Sequence, residues 1–333
     1  MPGPRNEADP HYKLGALGDV IIATAHIERI LASYPEDEVW LLTGEGYETL
    51  FAAHPRLQTA AFPRKGVKAM LGVLAWILRQ DFDAVYDLQG SERSAVMSFA
   101  SRAPLRAGMG FKVPYTHPIS LEGFAEEHIF DRLNRLLECA GLEKANDRPV
   151  LPVSKDEAAA IAEWISAAGL KKDGFVLMHA GSSERWRSKR WPAGHFLELA
   201  RSLGERDLVT VWIGDEADSA VNEMLASETG IDATGQFSIT GLCALGAHAR
   251  FAVVNDSGPM HALSAAGIPV YAFFGPTDWR RHHAVGQRER VLAGEAECSP
   301  CYLGECPPER GHRCLRSIGP EQVMERLVRD GLV

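Results

Sequence analysis

No stretch of this chain is apolar enough to cross a bilayer as a helix. The longest uncharged apolar run, Ala69 to Leu78, is ten residues, about half of what a membrane span needs. The opening Met1-Pro-Gly-Pro-Arg-Asn-Glu-Ala-Asp-Pro10 lacks the apolar segment of a secretory signal, so a cytoplasmic chain is expected. There is no long Lys/Arg run, and 44 acidic residues outnumber 35 basic ones for a net charge of −9. A broad nucleic-acid face is thereby excluded, although a basic loop on an acidic protein still suits a small anionic ligand. Internal repeats and low-complexity tracts are also absent. What remains is a chain of 333 residues, 46% apolar and 24% charged. That is the balance of a globular protein with room for two domains.

Short apolar runs alternate with helix-length amphipathic stretches throughout. Strands are expected at Glu38–Thr43, Asp83–Leu88, Phe175–His179, Leu208–Ile213, Arg250–Asn255 and Pro269–Phe274. Their lack of clean alternation is that of strands buried on both faces. Helices are expected at Val20–Leu31, Glu126–Ala140 and Ala193–Leu203, the last with Pro192 at its first position. Such alternation predicts a parallel, doubly wound α/β architecture. Asn146–Ser154, with two prolines and no helical period, reads as a linker between domains 1–150 and 151–333. Ligands of such sheets sit at the carboxyl ends of the strands, in the cleft between the halves.

Three strand-to-helix loops carry polar chemistry. In Lys13-Leu-Gly-Ala-Leu-Gly-Asp19, Asp19 lies near a helix N-terminus, where it could cap the helix or face the cleft as a base. No Gly-Lys-Ser/Thr follows, so this is not a Walker A loop. His179–Pro192 holds Ser182 and Ser183 with the cations Arg185, Arg187, Lys189 and Arg190. It suits a diphosphate or is a solvated basic loop. In Val254-Asn-Asp-Ser-Gly-Pro-Met-His261, Gly258 allows close approach, and the amides around Ser257 and Met260 can bind phosphate beside Asp256 and His261. Phe274-Gly-Pro-Thr-Asp278 adds a further turn at a carboxyl edge.

Taken in order, Leu14-Gly-Ala-Leu-Gly-Asp-Val, Lys189-Arg-Trp-Pro, Asn255-Asp-Ser-Gly-Pro-Met-His and Phe274-Gly-Pro-Thr-Asp resemble glycosyltransferase family 9, the ADP-heptose:lipopolysaccharide heptosyltransferases. The resemblance implies a GT-B fold, in which two Rossmann-like domains face each other across a cleft. The N-terminal domain would take the acceptor and the C-terminal one the ADP-sugar, with a final helix packing back on the N-terminal domain. The implied reaction is inverting transfer of L-glycero-D-manno-heptose from ADP-heptose to the lipopolysaccharide inner core, without a catalytic metal or other cofactor. Asp19 falls on the position of the general base. Ser182, Ser183 and Lys189 match residues that hold the diphosphate, and Asp256, Ser257, Gly258 and His261 match the heptose- and phosphate-binding motif. Asp218 is the candidate for the ribose, preferred by spacing over Asp215 and Glu216. Any membrane contact would be peripheral, at the cytoplasmic face of the inner membrane. Two other readings stay open: a relative that heptosylates a protein, and a catalytically silent nucleotide-sugar sensor.

In relatives an apolar strand precedes the Lys13 motif, whereas Glu7–Tyr12 here is a poor strand by composition and by Pro10. The loop Arg64-Lys-Gly-Val-Lys68 lies where acceptor contacts are expected. Lys65 and Lys68 could meet lipopolysaccharide phosphates or form a solvated helix start. Four of the six cysteines, Cys298, Cys301, Cys306 and Cys314, fall within 17 residues. In a cytosolic chain this spacing suggests a structural zinc or iron site, with free thiols and disulfides as alternatives.

Overall fold

Phe175 to His179 is buried at every position, and around this strand the C-terminal half is built. The computed structural model describes residues 16–63, 66–110, 112–123 and 126–333; the Glu7–Tyr12 stretch lies outside them. The N-terminal half runs α1 (Leu17–Ser33), β1 (Val39–Gly44), β2 (Leu57–Phe62), α2 (Val67–Ile77), β3 (Ala84–Tyr86), α3 (Glu92–Ser101), β4 (Leu105–Met109), β5 (His117–Ile119) and α4 (Ile129–Cys139). After Asn146–Ser154 come α5 (Lys155–Ala167), β6 (Phe175–His179), α6 (Ala193–Gly204), β7 (Val209–Trp212), α7 (Ser219–Ala226) and β8 (Ile231–Asp232). The chain continues through α8 (Ile239–Gly246), β9 (Ala252–Asn255), α9 (Gly258–Ala265), β10 (Val270–Phe274), α10 (Trp279–His282) and β11 (Val291–Ala293). It closes with α11 (Arg313–Arg316) and α12 (Pro320–Arg329).

All described strand pairs are parallel. The first half has β1–β2 and β3–β4–β5, and the second a six-stranded sheet in the order β11–β10–β9–β6–β7–β8. The order reverses at β6 and β9, which leaves a crevice at the carboxyl ends of those strands. Side chains of β6 alternate between two cores: Phe175 and Leu177 enter one cluster, Val176 and Met178 the other. The second cluster also takes Val323 and Leu327. The final helix therefore packs on α6 in the C-terminal half, and among the described residues its buried Val323 and Leu327 join that half's core rather than the N-terminal domain.

The expected helix starts shift for physical reasons. α1 begins at Leu17, since the Ala16 carbonyl already accepts from Asp19 and Val20. Gly18 thus lies inside the first turn of a helix. Pro192 is the residue before α6 in extended conformation (ψ 132°), not its first helical residue. Helix α1 joins the two halves: Val20, Ala23 and Ile27 share one apolar cluster with Leu133 and Leu136 of α4 and with Ala262 and Ala265 of α9. The linker is fastened to the same helices. The Val150 amide donates to Thr24 Oγ1 at 2.8 Å, and the Arg148 guanidinium donates to the Ala265 carbonyl at 3.1 and 3.2 Å. Among the described residues no helix is long and apolar enough to cross a membrane.

Leu133 is fully buried in the cluster beneath α1. Leu133→Ala should lower the unfolding free energy by about 2–5 kcal/mol. Denaturant titration checks this, and a loss well under 1 kcal/mol would show that α4 is not part of the shared core.

Candidate active site

The site is assembled where the first turns of α1 and α9 meet. A Cβ on Gly18 would lie 2.6 Å from Cδ2 and 2.8 Å from Nε2 of His261, and one on Gly258 would lie 2.6 Å from Cδ2 of Leu17. Each helix start therefore carries a glycine against a side chain of the other. The N-terminus of α9 has Pro259 in its first turn and no side-chain cap, its N-cap residue being Ser257. Its orphan N–H groups are thus available to an anion. The side chain of Asp19, in the first turn of α1, makes no cap bond either.

Asp19 is only partly exposed. Burial, opposed by Arg132 and Lys189 and assisted by the charge of Asp256, pushes its carboxyl up to about 7. Asp256 is buried and pairs with Lys189 Nζ at 2.7 Å, and it accepts a 2.6 Å hydrogen bond from Thr277 Oγ1. Burial alone would raise its pKa, but Lys189, His282 and the hydrogen bonds from Lys189 and Thr277 outweigh that and hold it below the usual carboxylate range. His261 is brought down to about 4 by burial, against the pull of Asp256, and is neutral near pH 7. Two carboxylates in one cleft thus have opposite character, one poised near neutrality and one permanently charged.

Below this surface the loops are stitched together. Asn255 accepts from the Trp191 amide at 2.9 Å and donates to the carbonyls of Ala180 and Gly181 at 2.9 and 3.0 Å. The loop after β6 is shaped from within: Ser182 Oγ donates to the Trp186 carbonyl at 2.8 Å and accepts from Arg190 Nε at 3.1 Å. Arg187 and Arg190 both pair with Glu184. Lys189, 5.0 Å from the Trp186 ring, is the cation of this loop that reaches Asp256.

The structure brings Asp19, Lys189, Asp256, Ser257, Gly258 and His261 together. Ser183 is exposed at the loop start, whereas Ser182 is buried and turned inward. Asp218, expected at a ribose, is only 4% exposed. It accepts from His179 Nε2 at 3.2 Å, and His179 Nδ1 takes the Ser257 hydroxyl at 3.1 Å. A Cβ on Gly181 would fall on its carboxylate. Asp215 and Glu216 are the exposed carboxylates of that loop. Lys68 is exposed on α2, and Lys65 lies outside the described residues.

The metal expectation at Cys298, Cys301, Cys306 and Cys314 gains no support from the structure. All four are free thiols, and among the described residues no group of three or more His, Cys, Asp or Glu is arranged to hold an ion. The segment is instead a brace held by its backbone. Ser188 N donates to Gly304 O at 2.9 Å, His312 Nε2 donates to Ser188 O at 2.7 Å, and Tyr302 N donates to Pro276 O at 2.7 Å. Cys314 is buried against Gly275.

Sequence reasoning missed Arg132 and His282, and it placed His179 and Thr277 within motifs without giving either a role. Arg132 is buried in the company of Leu133 and Leu136; a cation on an apolar helix face was the signal available for it.

An α/β chain of two parallel-stranded halves with a basic loop and an uncapped helix start at the crevice is the arrangement of a GT-B glycosyltransferase. The model of glycosyltransferase family 9 (heptosyltransferase) matches residues 73–311, and the chain belongs to that family of enzymes. The chain is similar to lipopolysaccharide heptosyltransferase 1 of Pseudomonas aeruginosa, with 24% identity over 95% of each protein. It is 25% identical to lipooligosaccharide heptosyltransferase 2 of Haemophilus influenzae, over 93% of this chain and 95% of that protein. The crystal structure of the glycosyl transferase family 9 from Veillonella parvula superposes with a TM-score of 0.78 at 22% identity, covering 96% of this chain and 95% of its own.

Because Asp19 binds its proton more tightly folded than unfolded, its effect on stability has a definite sign. The penalty is absent below the unfolded carboxyl pKa near 4, grows as pH rises, and is complete above about 7. Asp19→Asn should therefore stabilise the protein at pH 8, on the order of 1 kcal/mol, and give no gain at pH 4. Unfolding curves at the two pH values check this; equal curves at pH 8 would mean the carboxyl is not held against its charge.

Proposed function

We propose that this enzyme transfers L-glycero-D-manno-heptose from ADP-heptose to the lipopolysaccharide inner core with inversion. Residues 1–150 receive the acceptor, and residues 151–333 hold the nucleotide sugar. The observation that carries the reading is the opposed pair of carboxylates: Asp19, pushed up to about 7, next to the Lys189–Asp256 ion pair at an uncapped helix start. The similarity to lipopolysaccharide and lipooligosaccharide heptosyltransferases supports the donor and acceptor classes.

Asp19 accepts the proton of the acceptor hydroxyl as its oxygen forms a bond to the anomeric carbon. On the opposite face the bond from that carbon to the diphosphate oxygen breaks, and ADP leaves with the electron pair. Lys189 and the amides at the start of α9 meet the charge that develops on the diphosphate, with the exposed Ser183 at the rim. Asp256 keeps Lys189 aimed and is itself fixed by Thr277. Asp256, Ser257, Gly258 and neutral His261 border the sugar and the phosphate nearest to it. Arg132 lowers the Asp19 pKa from what burial alone would impose, leaving a base that is charged over half the time just above neutrality.

Acceptor-dependent ADP release from ADP-heptose, with heptose-deficient lipopolysaccharide, tests the reading. Asp19→Ala should slow it by about 10²- to 10⁴-fold. In the wild type, kcat/KM should rise with pH through about 7, since only the deprotonated carboxyl is a base. A limb near pH 4 would remove Asp19 from that role, and no release with any heptose-deficient core would sink the acceptor assignment. Lys189→Ala should weaken ADP binding roughly 10- to 100-fold, as the loss of a charged hydrogen bond requires; unchanged calorimetric affinity would show that the lysine does not hold the diphosphate.

A further inference from the structure

The outer faces of α2 and α3 are apolar where a helix packed on a sheet should be polar. α2 buries Val73 and Ile77 beneath it and rests Trp76 against Trp40, Phe62 and Phe82. Its opposite side is nonetheless Val67, Leu71, Ala75 and Leu78, with Val67 77% and Leu71 60% exposed. Residues 67, 71 and 78 share one face at the helical period. On α3, which packs beside α2, Phe99 is 61% and Val96 50% exposed, one turn apart. A helix that is apolar all round is normally covered, and a cluster of large exposed apolar side chains marks an interaction surface.

Charge identifies the occupant. The protein carries a net −9, yet residues 49–80 contain Arg56, Arg64, Lys65, Lys68 and Arg79 and no Asp or Glu. Lys68 and Arg79 are exposed at the two ends of the α2 stripe, and Arg102 is exposed just beyond Phe99. The acidic neighbours are Glu92 at the start of α3 and Asp81 and Asp83 after α2. Apolar side chains flanked by cations suit an anionic lipid surface, which takes the former between its headgroups and pairs with the latter. A soluble acidic protein would use the cations but leave Leu71 and Phe99 in water.

We infer that the α2–α3 face is a docking surface for an anionic bilayer, with Val67, Leu71, Leu78, Val96 and Phe99 as the inserting side chains and Lys68, Arg79 and Arg102 as the headgroup contacts. This rests on the proposed function in that a lipid-linked acceptor gives the enzyme reason to sit on a membrane. In that setting the surface is distinct from the transfer chemistry, because none of these side chains belongs to the Asp19–Lys189–Asp256 cluster.

Sedimentation of the full chain with vesicles of phosphatidylcholine alone and of phosphatidylcholine with one quarter phosphatidylglycerol tests the proposal. Wild type should pellet with the anionic vesicles and lose most of that binding in high salt. Leu71→Ser/Phe99→Ser should reduce the partition coefficient at least tenfold, and Lys68→Glu/Arg79→Glu should do the same. Both variants should keep wild-type ADP affinity and thermal stability, since every substituted residue is exposed. Absence of wild-type binding, or binding that survives both double substitutions, overturns the proposal. So does a concentration-dependent dimer that disappears in Leu71→Ser/Phe99→Ser, which would assign the face to a second copy of the chain. Failure of ADP release with intact vesicle binding would overturn the transferase reading and leave this surface standing.

Discussion

Two helix starts press against each other, and the rest of the molecule is arranged around that contact. Gly18 leaves room for the His261 ring and Gly258 for the Leu17 side chain, so the amino ends of α1 and α9 approach more closely than side chains of any size would permit. The partial positive charge of both helix ends is thereby concentrated in one crevice. A carboxylate, Asp19, sits on one helix start, and the other is left open. With either glycine enlarged, the helices would separate, and the core that runs from Leu133 through Val20 to Ala262 would open with them.

The opposed behaviour of the two acids follows from their neighbours. Asp256 has an ammonium at 2.7 Å and a hydroxyl at 2.6 Å, enough to offset burial. Asp19 has only longer-range help from Arg132 and Lys189, and it feels Asp256 as a like charge. One group of cations thus serves two carboxylates unequally, and that inequality separates a fixed structural charge from a titrating one. The histidines around them, His128, His261 and His282, are all kept well below their ordinary value by burial first and by cations or other histidines second. They therefore add polarity to the cleft without adding charge.

Much of the sheet was readable because burial writes itself into composition. Phe175–His179 matched to the residue, since all five positions face protein. Ile231–Asp232 and Val291–Ala293 were not legible; strands of two and three residues at the sheet's edges carry too little pattern to register. The same contrast holds in the site. Asp19, Lys189, Asp256 and His261 could be picked out because they stand in loops and helix starts with a recognisable order. The inward turn of Ser182 and the burial of Asp218 depend on Arg190 and His179, partners that spacing along the chain does not reveal. The cysteines carried less than their spacing suggested: the segment is a backbone-held brace whose four thiols lie near enough for the other three to add to burial in raising Cys314, without an ion-holding group among the described residues.

That brace sets the order of events during synthesis. The loop carrying Lys189 is held by Gly304, Leu303 and His312, and the turn carrying Thr277 by Ser299 and Tyr302. Trp191 likewise donates its indole N–H to the carbonyl of Ile318. The residues that meet the nucleotide in the proposed reaction are thus clamped by residues 299–318, which leave the ribosome a hundred or so residues after them. A nascent chain could complete the α1–α4 layer early, but its phosphate-facing loops acquire their fixed geometry only after residues 299–318 have emerged and bonded to them.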